Sequence, residues 1–265
     1  MRRGLVPTLE LAQAAVSAGR VLVDGAPAVK ASRLVAAGEP LTIVGPPPRF
    51  VSRGGLKLDA AVDRFALDVS RRRCLDAGAS TGGFTDCLLQ RWALEVVAGD
   101  VGFVQLHERL RRDPRVRLHE RTNVRRLDVG DVDGSVELLV ADLSFISLRT
   151  VLPALLALVR PGGDLVLLVK PQFEAGRREV SKGAGVVRDP AVWRRVLTEV
   201  VTAVVRGGAD TMGVMASPLT GADGNVEFLL WARRSDGPGL GTELAPAALD
   251  AVIAEVAEAS GRGRD

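Results

Sequence analysis

The stretch Asp76-Ala77-Gly78-Ala79-Ser80-Thr81-Gly82-Gly83-Phe84 ends a short apolar run in an acid and then places three glycines within six residues. Such a turn lets backbone approach a ligand that side chains would exclude. Its spacing, Gly-x-Ser-x-Gly-Gly, is neither the Gly-x-Gly-x-x-Gly of dinucleotide enzymes nor the Gly-Lys-Ser/Thr of a phosphate-cradling loop. It suits S-adenosylmethionine, which has no pyrophosphate to seat on a helix N-terminus; a plain strand-to-helix turn of another α/β enzyme is the competing reading. Asp100, Asp142 and Lys170 close other apolar runs. In an open α/β sheet the ligand lies outside the carboxyl ends of the strands, so Asp76, Asp100, Asp142 and Lys170 are expected on one edge. Asp100 stands where an acid takes the ribose hydroxyls of an adenosine cofactor. One charged residue at a strand end can be a mere exit to solvent; four in succession weaken that explanation.

The elements that must hold these residues alternate along the chain. Residues 73–76, 95–100, 116–120, 136–142, 165–170, 211–216 and 226–232 read as strands. Residues 85–92, 105–112, 151–159 and 191–205 read as helices between them, with the Pro-Gly-Gly at 161–163 closing the third. The run 165–169 shows no polar alternation, as expected of a strand buried on both faces. Strands alternating with helices predict a doubly wound α/β sheet of seven strands. A helix over 56–65 precedes the first strand and carries Lys57. The segment 246–259, with Leu249, Val252, Ile253 and Val256 at helical spacing, predicts an amphipathic helix packed on the domain edge.

Residues 1–45 have a different character. A helical period over 9–18, a strand at 20–23, the turn Asp24-Gly25 and a second strand near 38–44 make a compact α+β module. Pro46-Pro47-Pro48 is a stiff spacer. The expected division is therefore 1–45, a linker at 46–55, a catalytic domain at 56–235 and a tail at 236–265. Net charge is +3, yet residues 1–55 alone carry +4. That excess points to a polyanion, with a solvated face as the alternative. The pattern of helix, Gly-x-Val-x-Val-Asp-Gly and Gly-Glu-x-Leu-x-Ile resembles the small RNA-binding domain first described in a ribosomal small-subunit protein. The resemblance implies RNA contacts from Arg2, Arg3, Arg20, Lys30 and Arg33. Against that pattern the chain opens within the first helix, so the module is expected to lack it, and Pro7-Thr8-Leu9 replaces the usual Ser-Arg.

Composition, 47% apolar and 25% charged, is that of a soluble globular protein. No apolar run reaches the length of a membrane span, and the N-terminus does not read as a signal peptide, which makes the cytoplasm the expected compartment. Cys74 and Cys87 read as small buried hydrophobes, and His107 and His119 lack partners at metal-ligand spacing, so no metal is expected.

Seven segments, Ser-Arg-Gly-Gly-Leu-Lys-Leu (52–58), Leu-Asp-Ala-Gly-Ala-Ser-Thr-Gly-Gly-Phe-Thr (75–85), Glu-Arg-Thr-Asn (120–123), Ala-Asp-Leu-Ser-Phe-Ile-Ser (141–147), Leu-Val-Lys-Pro-Gln-Phe-Glu (168–174), Ser-Pro-Leu (217–219) and Gly-Asn-Val-Glu-Phe (224–228), together resemble the TlyA family. That family comprises ribosomal RNA ribose 2′-O-methyltransferases whose catalytic domain is similar to FtsJ-type enzymes. The resemblance implies a Rossmann-like, S-adenosylmethionine-dependent methyltransferase acting on a cytidine ribose of 16S or 23S RNA. It implies a Lys-Asp-Lys-Glu tetrad at Lys57, Asp142, Lys170 and Glu227. It further implies cofactor contacts at Asp76, Gly78, Ser80, Thr81, Gly82, Gly83, Phe84, Asp100, Asn123 and Asp142. Phe50 departs from the family, which often has Trp before Val-Ser-Arg-Gly.

Those residue types fit the chemistry. Methyl transfer from a sulfonium to a ribose hydroxyl is an in-line displacement that needs the hydroxyl oriented on the methyl carbon and its proton removed. Lys170 either takes that proton as a neutral amine or, as an ammonium, stabilises the developing alkoxide, with Asp142 and Glu227 orienting the two lysines. Three rival readings are a non-catalytic RNA-binding or ribosome-assembly protein, a membrane-active haemolysin, the other label given to this family, and a dinucleotide-dependent oxidoreductase. The complete tetrad opposes the first, the acids Asp250, Glu255 and Glu258 on the tail helix oppose the second, and the glycine spacing opposes the third.

Overall fold

The computed structural model describes residues 3–6, 9–101, 105–221, 223–237, 239 and 241–262. The first elements are α1 (Leu9–Ser17), β1 (Val21–Val23), β2 (Ala26–Pro27) and β3 (Leu41–Ile43). They form a three-stranded antiparallel sheet in the order β2-β1-β3, with the tight Asp24-Gly25 turn joining β1 to β2. Then come α2 (Gly54–Arg64), β4 (Arg73–Ala77), α3 (Gly83–Gln90), β5 (Glu95–Gly99), α4 (Glu108–Arg111) and β6 (Val116–His119). The second half holds β7 (Val136–Ala141), α5 (Leu148–Leu158), β8 (Val159–Val169), α6 (Pro171–Glu174), α7 (Arg177–Lys182), α8 (Pro190–Arg206), β9 (Ala209–Ala216), β10 (Phe228–Arg234) and α9 (Pro246–Arg262).

The large sheet has the order β6-β5-β4-β7-β8-β10-β9. From β6 to β8 neighbouring strands are parallel, whereas β10 is antiparallel to both β8 and β9. The seven strands are those read from the sequence, but a simple doubly wound sheet is corrected at this edge: the last strand inserts in reverse between β8 and β9. A short connection, residues 217–227, explains it, because an antiparallel neighbour is reached by a loop whereas a parallel one needs a crossover helix. The chain leaves β4 toward one edge and returns at β7 for the other, so a crevice opens between the carboxyl ends of these two strands.

Both faces of the sheet are covered. On β8, Leu165, Leu167 and Val169 join the core under α5, α8 and α9, and Val166 and Leu168 join the core under α2 and α3. That two-sided burial explains the unbroken apolar run. Leu249, Val252, Ile253 and Val256 of α9 belong to the first of these cores, as their spacing predicts. The Pro-Gly-Gly at 161–163 does not terminate a helix; α5 ends at Leu158, and β8 begins at once. Its pairing with β7 skips from Val136–Val159 to Leu138–Asp164, so the three residues form an irregularity in the strand, where Pro and Gly are tolerated. The helix expected over 105–112 shortens to α4, and α6 and α7, too short to show a period, have no counterpart in the sequence reading. Where regular pairing of β8 resumes after this irregularity, buried Asp164 accepts hydrogen bonds from Arg72 (2.6 Å), Trp231 (2.9 Å) and Arg233 (2.9 Å). Burial alone would raise its pKa, but these donors hold it below the usual carboxylate range.

Gly82 is the residue that α3 starts from, with φ of 96° in the left-handed region. A Cβ here would lie 2.3 Å from Leu110 Cδ1 and 2.7 Å from Leu106 Cδ1. Gly82→Ala is therefore expected to destabilise the protein by roughly 2–4 kcal/mol, combining left-handed strain with overpacking. Urea unfolding checks this: the midpoint should fall with the slope unchanged.

Candidate active site

The loop between β4 and α3 is fixed mainly by its own backbone. Gly78, at φ of 92°, brings the chain so close to the end of β7 that a Cβ would lie 2.5 Å from the Asp142 carbonyl oxygen. Asp142 N–H in turn donates to the Ala77 carbonyl at 3.1 Å. Ser80 sits at φ of 48°, and its N–H donates to Asp100 Oδ2 at 2.7 Å. Asp100 thus anchors the loop from the end of β5.

Asp76 does not close its strand at the ligand edge, as the sequence reading has it. Pairing of β4 with both β5 and β7 continues through Ala77, which leaves Asp76 inside the sheet and fully buried. Thr85 Oγ1 donates to its Oδ2 at 2.7 Å, while Oδ1 has no partner among the described residues. Burial is the main reason its pKa rises to about 7, with the charges of Asp142 and Asp100 adding to it and the Thr85 hydrogen bond opposing it.

Two lysine–carboxylate pairs face this loop. Lys170, just past the end of β8, places Nζ 2.6 Å from Asp142 Oδ1 and donates to Ser144 Oγ at 3.2 Å. Lys57, on α2, places Nζ 2.5 Å from Glu227 Oε2. Both lysine side chains are only 10% exposed, so neither charge has bulk water as its main partner. Pairing of Phe228 with Val169 sets Glu227 beside Lys170, which joins the two pairs. A cleft of about 390 Å³ is lined by residues 78–81, 83 and 84 together with Lys57, Asp142, Ser144, Lys170 and Glu227. Ser52, Arg53 and Leu9 of α1 complete its rim. A larger cavity of about 940 Å³, between α1, β3 and the start of α2, contains none of the four paired residues.

Most residues singled out in the sequence converge here. Gly82 does not line the cleft; it backs onto Leu106 and Leu110, on the other side of the loop. Asn123 also stands outside, exposed, accepting from Arg125 N–H at 3.0 Å at the start of a 3₁₀ turn. In the N-terminal module Arg3 donates to the carbonyls of Ala36 (2.6 Å), Ala37 (3.0 Å) and Glu39, and Arg20 to those of Val44 (2.8 Å) and Pro46. Arg33 pairs with Glu39 at 2.8 Å, Lys30 is exposed, and Arg2 lies outside the described residues. Ser144, which accepts from Lys170, is a contact that the sequence reading did not single out, although the Asp-Leu-Ser-Phe run contains it. Next to it Phe145 is 91% exposed, at φ of 63°, with its ring 5.2 Å from that of Phe173. Among the described residues no group of three or more His, Cys, Asp and Glu side chains is arranged to hold a metal. Burial pushes the thiols of Cys74 and Cys87 up to about 12.

A seven-stranded sheet with one reversed strand and a polar cleft at its switch point is a Rossmann-like methyltransferase fold. An S-adenosylmethionine dependent methyltransferase from Mesorhizobium loti shares it, with a TM-score of 0.50 over 66% of this chain and 96% of that one, at 18% identity. The chain belongs to the FtsJ-like methyltransferase family, whose pattern matches residues 50–234, and within it to the TlyA group that the motifs resemble. It is similar to the 16S/23S rRNA (cytidine-2'-O)-methyltransferase TlyA of Mycobacterium tuberculosis, 51% identical over 88% of this chain and 87% of that one. It is also similar to a solved structure described as "Putative hemolysin from Streptococcus thermophilus", with a TM-score of 0.82 and 39% identity over 99% of this chain and 94% of that one.

A raised folded-state pKa means that the stability tied to Asp76 is fully present below the ordinary carboxylate pKa and is lost as pH rises toward about 7. In ligand-free protein, Asp76→Asn is therefore expected to match wild type near about pH 4 and to exceed it at about pH 8. Thermal unfolding at the two pH values checks this; parallel profiles for the two proteins would contradict the assignment.

Proposed function

We propose that the protein transfers the methyl group of S-adenosylmethionine to the 2′-hydroxyl of a cytidine ribose in ribosomal RNA. The observation that carries this reading is the pair of buried lysine–carboxylate contacts facing the glycine loop across one cleft. The residues present suit the cofactor. Asp100 and Asp142 flank the loop, and the unpartnered Oδ1 of buried Asp76 lies beneath it, an arrangement suited to a ligand with ribose hydroxyls and cationic groups. Gly78, Ser80, Thr81, Gly83 and Phe84 would form the wall against it. When bound, S-adenosylmethionine supplies an activated methyl group on a sulfonium.

Lys170 spends two of its ammonium N–H bonds on Asp142 and Ser144, which leaves one to hold the acceptor hydroxyl in the cleft. This arrangement favours Lys170 as an orienting cation. With the cofactor bound, the new carbon–oxygen bond would form as the carbon–sulfur bond breaks, and the hydroxyl proton would pass to the Asp142 carboxylate, since the Lys170 ammonium has no lone pair to take it. Lys57 and Glu227 fix the far wall and add a second fixed charge pair beside the reacting oxygen, where low dielectric strengthens it. The exposed Phe145 ring and the half-buried Phe173 ring against it suit an unstacked base, the form in which single-stranded RNA is recognised.

The same reading makes residues 1–45 an RNA-binding domain, 46–55 its linker, 56–235 the catalytic domain and 236–265 a tail, and it places the protein in the cytoplasm with ribosomal RNA or ribosomal subunits as its partner. Membrane lysis is disfavoured: among the described residues no helix is long and apolar enough to cross a membrane, and the exposed face of α9 carries Asp250, Glu255 and Glu258.

Lys170→Ala is expected to leave cofactor affinity intact and lower turnover by roughly 10²- to 10⁴-fold, the loss typical of a group handling the reacting proton. Lys170→Arg should restore little, because a planar guanidinium does not reproduce the ammonium geometry. Mass spectrometry of modified nucleosides is the readout; a methyl group on the base, or a Lys170→Ala enzyme as fast as wild type, rejects the mechanism. For the N-terminal module, Lys30→Ala combined with Arg33→Ala should weaken RNA binding and flatten its salt dependence by about one unit of slope per lost phosphate contact. An unchanged slope in filter binding across a salt series places the RNA contact elsewhere.

A further inference from the structure

Glu174 lies outside the lysine–carboxylate pairs, yet its side chain is 1% exposed and carries a charge. Its Oε1 accepts from Leu148 N–H at 2.6 Å, and its Oε2 accepts from Ser147 Oγ at 2.5 Å and Arg149 Nε at 3.2 Å. Arg149 Nη2 also donates to the Glu174 carbonyl at 2.9 Å, and Arg149 Nη1 reaches Glu199 of α8 at 2.7 Å. Helix α5 has no side-chain cap of its own at Ser147. A carboxylate from α6 satisfies its first N–H instead, where the helix dipole favours negative charge.

The consequence lies in what the two joined segments carry. Residues 142–147 hold Asp142, Ser144 and Phe145; residues 170–174 hold Lys170, Phe173 and Glu174. These segments meet at one end through Lys170 with Asp142 and Ser144, midway through the Phe145–Phe173 ring contact, and at the other end through Glu174. Each segment follows a different strand, so backbone pairing within the sheet does not set the distance between them beyond Ala141 and Val169. Side-chain contacts do, and the Glu174 carboxylate makes three of them.

We propose that Glu174 is a positioning residue for methyl transfer: by clamping the loop after β7 to the turn after β8, it sets the Lys170–Asp142–Ser144 geometry at the acceptor hydroxyl. This rests on the methyl-transfer reading above. Because the glycine loop is held by Asp100 and, where it meets Asp142, by main chain that hydrogen-bonds to Ala77, loss of the clamp acts on the side chains of the acceptor side and spares the cofactor side.

The test uses full-length Glu174→Gln, which keeps the side-chain shape and one acceptor oxygen but loses the charge and the second acceptor. Turnover is measured on ribosomal RNA by release of 2′-O-methylated nucleoside and normalised to sites that bind S-adenosylmethionine in calorimetry. The expected result is a fall in kcat of about 10²-fold, the scale of a misplacement near 1 Å, with cofactor affinity unchanged. A residue with a merely structural role would reduce the number of binding sites and leave kcat per site at the wild-type value; that outcome overturns the proposal. If Glu174→Gln does not fold, Ser147→Ala carries the test, since it removes one donor and leaves Leu148 capped. Its expected loss is about tenfold in kcat per site, equivalent to one modest hydrogen bond, and wild-type kcat again overturns the proposal. Wild-type protein assayed in parallel separates the two ideas: no 2′-O-methyl product from wild type rejects the proposed activity, whereas product from wild type and an undiminished variant rejects only the role of Glu174.

Discussion

Two lysine side chains, Lys57 and Lys170, are held nine-tenths buried where an apolar sheet meets its cleft, and the cost of withdrawing their charge from water governs the surrounding architecture. An ammonium group removed from water without a partner costs several kcal/mol, and breaking a buried pair by deleting one member typically costs 3–5 kcal/mol, so roughly that much rides on each carboxylate. Asp142 and Glu227 must therefore arrive at fixed places. Asp142 arrives because β7 ends there, parallel to β4 and β8. Glu227 arrives because β10 runs the other way, so that its first residues, not its last, lie at the carboxyl end of β8. The reversed strand, which departs from the simple doubly wound pattern, is thus what delivers an acid to the second lysine.

The helix α2 completes the arrangement from outside the sheet. Its Lys57 and Glu227 are far apart in sequence, and the helix is held down by apolar contacts of Leu58, Ala61 and Val62 with the second core. Asp59 of the same helix binds Arg91, just past α3, at 2.6 Å and Arg49 ahead of α2, and Asp86 of α3 accepts from Val51 N–H at 2.8 Å. The segment before α2 is therefore anchored to the helix that follows the glycine loop. Ser52 and Arg53, at the rim of the cleft, are positioned by the same contacts.

Legibility in the sequence followed the physics of each element. The central strands show because two-sided burial leaves unbroken apolar runs, and α8 and α9 show because one face repeats every three or four residues. The reversal of β10 does not show, since direction leaves no mark on hydrophobic pattern, and the short turns α6 and α7 have no room for a period. Asp100, Asp142 and Lys170 were readable as strand ends. Asp76 reads as the end of its strand, whereas pairing runs one residue further, through Ala77, and leaves it a buried acid whose pKa is displaced. Lys57 and Glu227 carry no local signal, being a lysine on a helix and an acid before a strand, and only the resemblance implied them. Glu174 was within a quoted motif, yet nothing in its neighbours reveals that its partners lie 26 residues earlier.

The two sides of the cleft are built by different means, and this separates what each can tolerate. The glycine-loop side is shaped by backbone: Gly78 against the Asp142 carbonyl, and Ser80 N–H on Asp100. There a side chain added at Gly78 displaces the loop as a unit, and polar substitution at exposed Ser80 leaves the main-chain contact in place. The lysine-bearing side is shaped by side chains, Lys170 with Asp142 and Ser144, Lys57 with Glu227, and Glu174 behind them, so its geometry depends on single atoms that one substitution removes. Asp142 is shared by both sides: its backbone carries the loop and its carboxylate carries Lys170. Its position at the switch point of the sheet is what lets a binding surface made of main chain and a reactive surface made of side chains meet over one bond.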